Sequence, residues 1–412
     1  MNNSNQYDLI AIGGGAAGFF GAIIAAENNP DLRILILEKT TKLLSKVKVS
    51  GGGRCNVTHH NFEPTPFSKH YPRGQKELKS LLRVFGSKET VSWFENRGVK
   101  LKAEADGRMF PVTNSSQTII DYFLGTAKNL NIEIQTSTEV RSIQKSGEFL
   151  TIDCDEQKFI CKNILMASGG YNNEASYQWI KELGHSVVNP IPSLFTFNDS
   201  EKKFTDLMGL SVPAAEVKIA GTKFSETGPL LITHWGLSGP AVIKLSAWAA
   251  AYLHQLHYVF TALVNWANES EENVRLKFQD MRTSHGKQKV AGNPLYILPQ
   301  RLWTRLCDLS AIPDNKVWAE LPQKNANKLL EFLIRCPFQI KGKTTFKEEF
   351  VTCGGIDLKE VDLETMESKI VPRLYFAGEV LNIDGETGGF NFQSAWTTGY
   401  IAGKAAATKK PL

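Results

Sequence analysis

Tyr7–Lys39 reads YDLIAIGGGAAGFFGAIIAAENNPDLRILILEK. Tyr7–Ile12 is an apolar run of the length of a strand buried on both faces, and Arg33–Leu37 (RILIL) is a second. Between them three glycines make a turn, and Ala16–Asn28, rich in Ala and Ile, predicts a helix. Strand, turn, helix and strand in that order open a doubly wound α/β fold. The glycines fit GxGxxG on Gly13, Gly15 and Gly18, with Ala16 and Ala17 between. The first glycine permits a tight turn. The second lets backbone approach a pyrophosphate, and the third lets the helix pack close to the strand. The free N–H groups at the helix start then favour phosphate. Glu38 falls 20 residues after Gly18, at the end of the second strand, where a carboxylate accepts from a ribose hydroxyl. Leu9–Ala26 also forms 18 residues without a charge, the length of a membrane span. Five of them are glycines, and that punctuation fits a strand–turn–helix better, so no membrane association is expected.

The remaining 379 residues are ordinary in composition. Of the 412 in all, 42% are hydrophobic and 22% charged, which excludes a disordered or collagenous chain and suggests two or three domains. The net charge of +5 is too small for its length to signal nucleic acid by itself. Six cysteines at 55, 154, 161, 307, 336 and 353 form no CxxC, so neither a metal site nor a redox pair is expected. MNNSNQYD lacks the charge and apolar core of a signal peptide, and reduced thiols fit a cytoplasmic protein.

Helical patterns follow near 75–85, 88–97 and 114–129, with an extended segment at 132–136. Three strand-like runs fill 138–167, the first carrying Val140. Pro190 and Pro192 mark a boundary. Residues 193–265 mix strand patterns with one helix, opened by Ser238, Gly239 and Pro240, and 269–335 is mostly helical. From about 351 the strand-and-glycine style returns, so the dinucleotide domain is discontinuous, 1–189 plus 351–412.

Three further motifs carry chemistry. In SGGGRCNVT, Ser50–Thr58, three adjacent glycines bare the backbone at an entropic cost, and Arg54 offers a charged fork suited to an anion. In ILMASGG, Ile164–Gly170, a buried strand runs into small residues, as where backbone passes close to a cofactor. In LYFAGEVLNIDGETGGFNFQSAWTTG, Leu374–Gly399, a strand ends at Ala377-Gly378-Glu379 and a glycine loop leads into a helix. Asn391, Gln393 and Ser394 fall on its first turn, where free N–H groups await an acceptor. Dinucleotide-type motifs at opposite ends of the chain favour FAD over NAD, since a flavin ring needs a second set of elements to hold it.

With these strings, and with GRMFP (107–111), THWGLSGP (233–240), CGGID (353–357) and ETMES (364–368), the chain resembles the BaiN-like, aminoacetone-oxidase-type FAD-dependent flavoproteins. The likeness covers nearly the whole chain, and SGGGRCN and GLSGP are its specific strings. It implies a Rossmann-like FAD domain with an inserted β-rich domain, 190–268 with 336–350, and a helical subdomain, 269–335. It also implies FAD held by Gly13, Gly15, Gly18, Glu38 and Lys39; by Ser50, Gly51, Gly52, Arg54, Cys55 and Asn56; by Ala167, Ser168 and Gly169; and by Gly378, Glu379 and Gln393, and we expect Ala16, Ala17, Lys46, Gly53, Val140, Gly170, Gly389, Asn391 and Ser394 at the cofactor as well. The sequence departs from the family pattern at Leu44-Ser45, where Gly-Arg is usual, and at Asn382, where Asp is usual.

Single side chains remain to be weighed. Cys55 reads better as a packed residue than as a reactive thiol. His234 either moves a proton near neutral pH or holds the strand–helix junction at Ser238. Arg73 and Arg108 are candidates for an anionic substrate, and most tryptophans are expected in the core. The activity expected is hydride transfer between flavin and a small-molecule substrate, an amine or a carbonyl compound, with NAD(P)H or another donor or acceptor. One alternative is reduction of uridine in RNA, as some relatives resemble a ribosomal RNA dihydrouridine synthase. Residues 270–345 hold 13 Lys and Arg against 7 Asp and Glu, which suits phosphate contacts. Beside Pro111, however, no cysteine stands ready as an acid. The other alternative is a flavin-binding protein without catalysis.

Overall fold

The computed structural model describes residues 5–171, 173–344 and 351–408. The ends of the ranges 270–345 and 336–350 therefore lie outside the described residues. The chain divides into two compact units, one of Met1–Ser193 with Lys347–Leu412 and one of Leu194–Phe346.

The first unit is built on a seven-stranded sheet. Gln6–Ile12 lies at its centre, parallel to Ile34–Leu37 on one side and to Lys158–Met166 on the other, with Ile10 opposite both Leu35 and Ile164. Glu133–Gln135 extends the parallel ladder beyond Ile34–Leu37. Leu374–Phe376 adds another parallel strand against Lys158–Met166, which brings the C-terminal motif beside the N-terminal one. Ile34–Leu37 is buried at every position, as a strand covered on both faces requires. The 138–167 region forms antiparallel strands, Val140–Ser146, Phe149–Cys154 and Lys158–Met166. The uncharged stretch 9–26 resolves into the end of one strand and the helix Ala16–Asn28. Among the described residues no helix is long and apolar enough to cross a membrane.

The helix Ala16–Asn28 crosses the C-terminal helix Phe390–Thr408 at backbone contact. A Cβ on Gly403 would stand 2.2 Å from the Gly21 carbonyl oxygen, and one on Gly399 would stand 3.1 Å from that of Ala17. These glycines set how deeply the last helix seats against the first.

The second unit centres on a closed antiparallel barrel. Its strands run in the order Thr196–Asp199, Gly236–Ser238, Ser225–Ile232, Ser211–Ile219, Val259–Asn265 and Cys336–Thr344, and the last pairs back to the first. Phe197, Val217 and Val264 of the barrel share one hydrophobic cluster with Phe278, Trp303 and Leu330 of the helices Glu271–Ser284, Gln300–Leu309 and Gln323–Ile334. Where one helix was expected, two follow Gly239: Pro240–Trp248, with proline in its first turn, and Ala250–Gln255. Ala249, at φ −92° and ψ 6°, separates them.

Candidate functional site

The glycine turn after the first strand divides its three positions by what surrounds them. Gly13 has φ +114°, and a Cβ there would meet the Ala167 carbonyl oxygen at 2.3 Å. At Gly18 a Cβ would stand 2.0 Å from the Gly13 oxygen. Both glycines are required by the protein's own packing. At Gly15, which caps the N-terminus of the helix, a Cβ would meet nothing within 4 Å. The helix therefore starts at bare backbone facing open space, and no side chain caps it. A pyrophosphate fits that opening on both steric and electrostatic grounds.

Glu38 leaves the second strand and holds this turn. Its Oε2 accepts from the Gly14 N–H at 2.9 Å, and its Oε1 accepts from the N–H and hydroxyl of Thr40, each at 2.9 Å. Glu38 is thus a clamp on the turn. It lines a cleft of about 480 Å³ together with Gly13, Lys39, Val140 and Ser168. The sequence reading missed the other walls, notably Arg141, Tyr171 and Trp179. Arg141 stands in the strand Val140–Ser146 and Trp179 in the short helix Gln178–Lys181, while Tyr171 follows the strand Lys158–Met166, and no glycine motif marks any of the three. Lys39 Nζ stands 5.3 Å above the Tyr171 ring.

Ser50–Asn56 follows directly on a short helix. The helix from Ser45 runs into it and breaks at Ser50, where ψ is 147°, and Gly51 and Gly52 then adopt left-handed conformations. Gly51 is closed in by Phe110, while Gly52 faces open space. Arg54 is already engaged. Its Nη1 lies 2.5 Å from Glu104 Oε1, its Nε donates to the Gly51 carbonyl at 3.3 Å, and its guanidinium lies 4.0 Å over Phe110. It braces the glycine turn, and its charge is shared with Glu104. Cys55 is fully buried, and burial pushes its thiol up to about 12, so it is a packed residue. Lys46 pairs with Glu379, so two residues expected at the cofactor form one ion pair.

The third and fourth motifs come together with these. Ala167 supports Gly13, and Gly169, at φ +78°, faces open space. A Cβ on Gly170 would strike Thr352. Gly378 packs on Ala17, and its N–H donates to Thr398 Oγ1 at 2.9 Å. At the start of the last helix the polar side chains turn inward. Asn391 accepts from the Gly385 N–H at 2.8 Å and donates to the Gly385 carbonyl at 2.9 Å. Gln393 accepts from Thr58 at 2.6 Å and donates to Thr397 at 3.1 Å. Ser394 donates to the Asn391 carbonyl. Gly389, at φ +94°, is bare because Thr58 passes against it, at 2.5 Å from where a Cβ would stand. With its amide correctly oriented, Asn56 accepts from the Gly389 N–H at 2.9 Å. The polar side chains of this motif thus tie the 385–389 loop to the 50–58 segment.

Two arginine candidates are likewise engaged within the fold. Arg73 forms a bidentate pair with the fully buried Asp384, which also accepts from Ser193. Arg108 pairs with Asp106 and Glu104. His234 lies in the second unit, exposed, with its ring 4.1 Å from that of Trp235. Its turn is closed by Thr233, which bonds Gly236, so the junction role considered for His234 falls to Thr233.

The opening at Gly15, the bare stretches at Gly52 and Gly169, and the cleft at Glu38 all belong to the first unit and suit an extended dinucleotide. A family model described as the HI0933-like protein Rossmann domain matches residues 7–405. The chain is 29% identical over 404 residues to the ribosomal RNA dihydrouridine synthase of Escherichia coli (strain K12), with 96% of each chain covered. It is 27% identical over 407 residues to the 3-dehydro-bile acid delta(4,6)-reductase of Clostridium scindens, covering 97% of this chain and 98% of that one. Among solved structures, the 3-ketosteroid-delta4-(5alpha)-dehydrogenase of Rhodococcus jostii RHA1 superposes with a TM-score of 0.54 at 12% identity over 98% of both chains, a likeness of fold. The chain therefore belongs to the HI0933-like family, the BaiN and aminoacetone-oxidase type of Rossmann flavoprotein, and is a FAD-dependent oxidoreductase.

Proposed function

We propose that the chain is a reductase of carbon–carbon double bonds conjugated to a carbonyl. One observation carries this reading. Two relatives of unlike name match it over nearly their whole length, a bile acid reductase and a dihydrouridine synthase. Dihydrouridine arises by adding hydrogen across a double bond conjugated to a ring carbonyl, and a 3-dehydro compound with a delta(4) double bond has the same grouping. FAD supplies the hydride. The protein's part is to bind and orient. In this reading the Gly15 opening holds the pyrophosphate, with Ala16 and Ala17 in the first turn behind it. Glu38 accepts from the ribose, and Gly52 and Gly169 give the backbone close approach. This reading narrows the expected hydride transfer with an amine or a carbonyl compound to reduction of a conjugated double bond.

Uridine in RNA is the substrate that charge favours. Lys287, Lys289 and Lys324 are exposed in the second unit and unpaired among the described residues, on the part of the chain with the basic excess. Exposed lysines that neutralise phosphates release counterions, so binding should weaken steeply with salt.

The test offers dithionite-reduced protein, under anaerobic conditions, a 3-keto-delta(4) steroid, ribosomal RNA lacking dihydrouridine, and a panel of amines. Reoxidation of the flavin by a conjugated substrate, with two hydrogens gained by mass spectrometry, is the expected result. Failure of both conjugated substrates, together with reduction of the oxidised flavin by an amine, would overturn the reading.

A further inference from the structure

Adding hydrogen across a conjugated double bond needs a proton as well as a hydride. The hydride goes to the carbon β to the carbonyl, and the proton to the α carbon. Cys55 is buried with a raised thiol, and Arg54 and Arg73 are paired guanidinium groups, so none of these three supplies that proton.

His70 meets the requirement. Its Nδ1 lies 3.0 Å from Oε2 of Glu386, a carboxylate only 7% exposed, and the Glu386 N–H donates to the His70 carbonyl at 2.9 Å. Two bonds between the same two residues fix both the ring and the chain. A carboxylate on Nδ1 directs that nitrogen to donate and fixes the orientation of the ring. Among the described residues Nε2 has no hydrogen-bond partner, and the side chain is 34% exposed, so it can take a proton from water.

The place is also right. Glu386 belongs to the 385–389 loop, which Asn56 ties to the proposed flavin-holding segment 50–56. His70 stacks on Phe390, the first residue of the C-terminal helix, with ring centroids 4.3 Å apart. His59 shares that cluster, 4.9 Å from Phe390, but its Nδ1 lies 3.1 Å from the Gly388 carbonyl and its Nε2 edge abuts Gly107. His70 pairs a buried carboxylate on one nitrogen with a second nitrogen that has no hydrogen-bond partner among the described residues.

We propose that His70, oriented by Glu386, delivers the proton to the α carbon as the hydride adds to the β carbon. The Nε2–H bond breaks, the new C–H bond forms, the double bond is reduced by the electron pair of the hydride, and the neutral imidazole is reprotonated by water. Glu386 is a positioning residue in this scheme. The inference rests on the reductase reading above.

The experiment compares wild type, His70→Gln, His70→Ala and Glu386→Gln, each loaded with FAD and reduced. Reoxidation by a conjugated substrate should fall about 100-fold in His70→Gln, the scale of general acid catalysis, and less in Glu386→Gln. Reoxidation by ferricyanide, which takes electrons without protonating carbon, should match wild type. Retained FAD and melting temperature should match as well, and added imidazole should restore part of the rate to His70→Ala. An unchanged rate with the conjugated substrate in His70→Gln overturns the assignment while leaving the reductase reading intact. Parallel loss of ferricyanide reoxidation and of bound FAD would also overturn it, by making His70 structural. If wild type reduces no conjugated substrate, both readings fall together.

Discussion

Glu38 serves the fold and, in the function proposed above, the ribose of FAD as well. Its carboxylate already accepts three hydrogen bonds from Gly14 and Thr40. Glu38→Ala should therefore loosen the turn and remove the ribose acceptor together. A hydrogen bond to a charged group is worth about 1.5–3 kcal/mol, so apoprotein titrated with FAD should bind roughly 10- to 100-fold more weakly. An unchanged dissociation constant would place the ribose elsewhere. Gly389 shows the reverse case, in which a glycine that looks reserved for a ligand is claimed by the protein. Its positive φ and the Thr58 backbone beside it leave no room for a side chain. Gly389→Val should accordingly cost stability as well as flavin, read as a lower melting temperature even in the apoprotein. A variant that melts like wild type without FAD would mean that the loop can yield.

At the scale of elements, the crossing of the first and last helices decides how the two cofactor motifs meet. Helix propensity alone favours Gly403→Ala by about 1 kcal/mol. The Gly21 carbonyl at 2.2 Å from the added Cβ opposes it, and overpacking of this kind costs about 1–3 kcal/mol. The contact is with backbone, which cannot swing aside, so the second effect wins. Gly403→Ala should be less stable in urea titration, with weaker FAD retention because Phe390–Thr408 carries the 385–389 loop at its start. A more stable variant would show that the helices can separate at no cost. In the barrel unit, His234 is better tested by its absence. Exposed and outside the turn's hydrogen bonds, it should be replaceable by Ala with no change in melting temperature.

Across the whole molecule, buried thiols link stability to pH. Cysteine titrates near 8.5 when unfolded. Burial pushes Cys55 of the first unit and Cys307 and Cys336 of the second up to about 12. Between those values the folded state holds protons that the unfolded state has lost. Stability is then fully present below about pH 8.5 and declines as pH rises toward 12. Denaturation midpoints measured at pH 8 and pH 10 should fall with pH, and a rise would contradict the burial of these groups.

The sequence by itself determined the elements that local chemistry dictates. Apolar runs of strand length and the bare glycine turn made Gln6–Ile12, Ala16–Asn28 and Ile34–Leu37 legible almost to the residue. The antiparallel runs of 138–167 were equally plain, whereas 269–335 was legible only as mostly helical, without the bounds of its helices. FAD was legible because two dinucleotide-type motifs lie at opposite ends of one chain. Sequence could not say which polar groups would find each other. Arg54 reads as a free cation until Glu104, fifty residues on, takes it up. Gln393 reads as a cofactor contact until Thr58 and Thr397 close over it. His70 and Glu386 lie 316 residues apart, and only Glu386 falls within a motif, so nothing local joins them. Such pairings depend on strand order and helix crossing, which long-range packing sets, and a hydrogen bond leaves no periodic trace in the residues that make it.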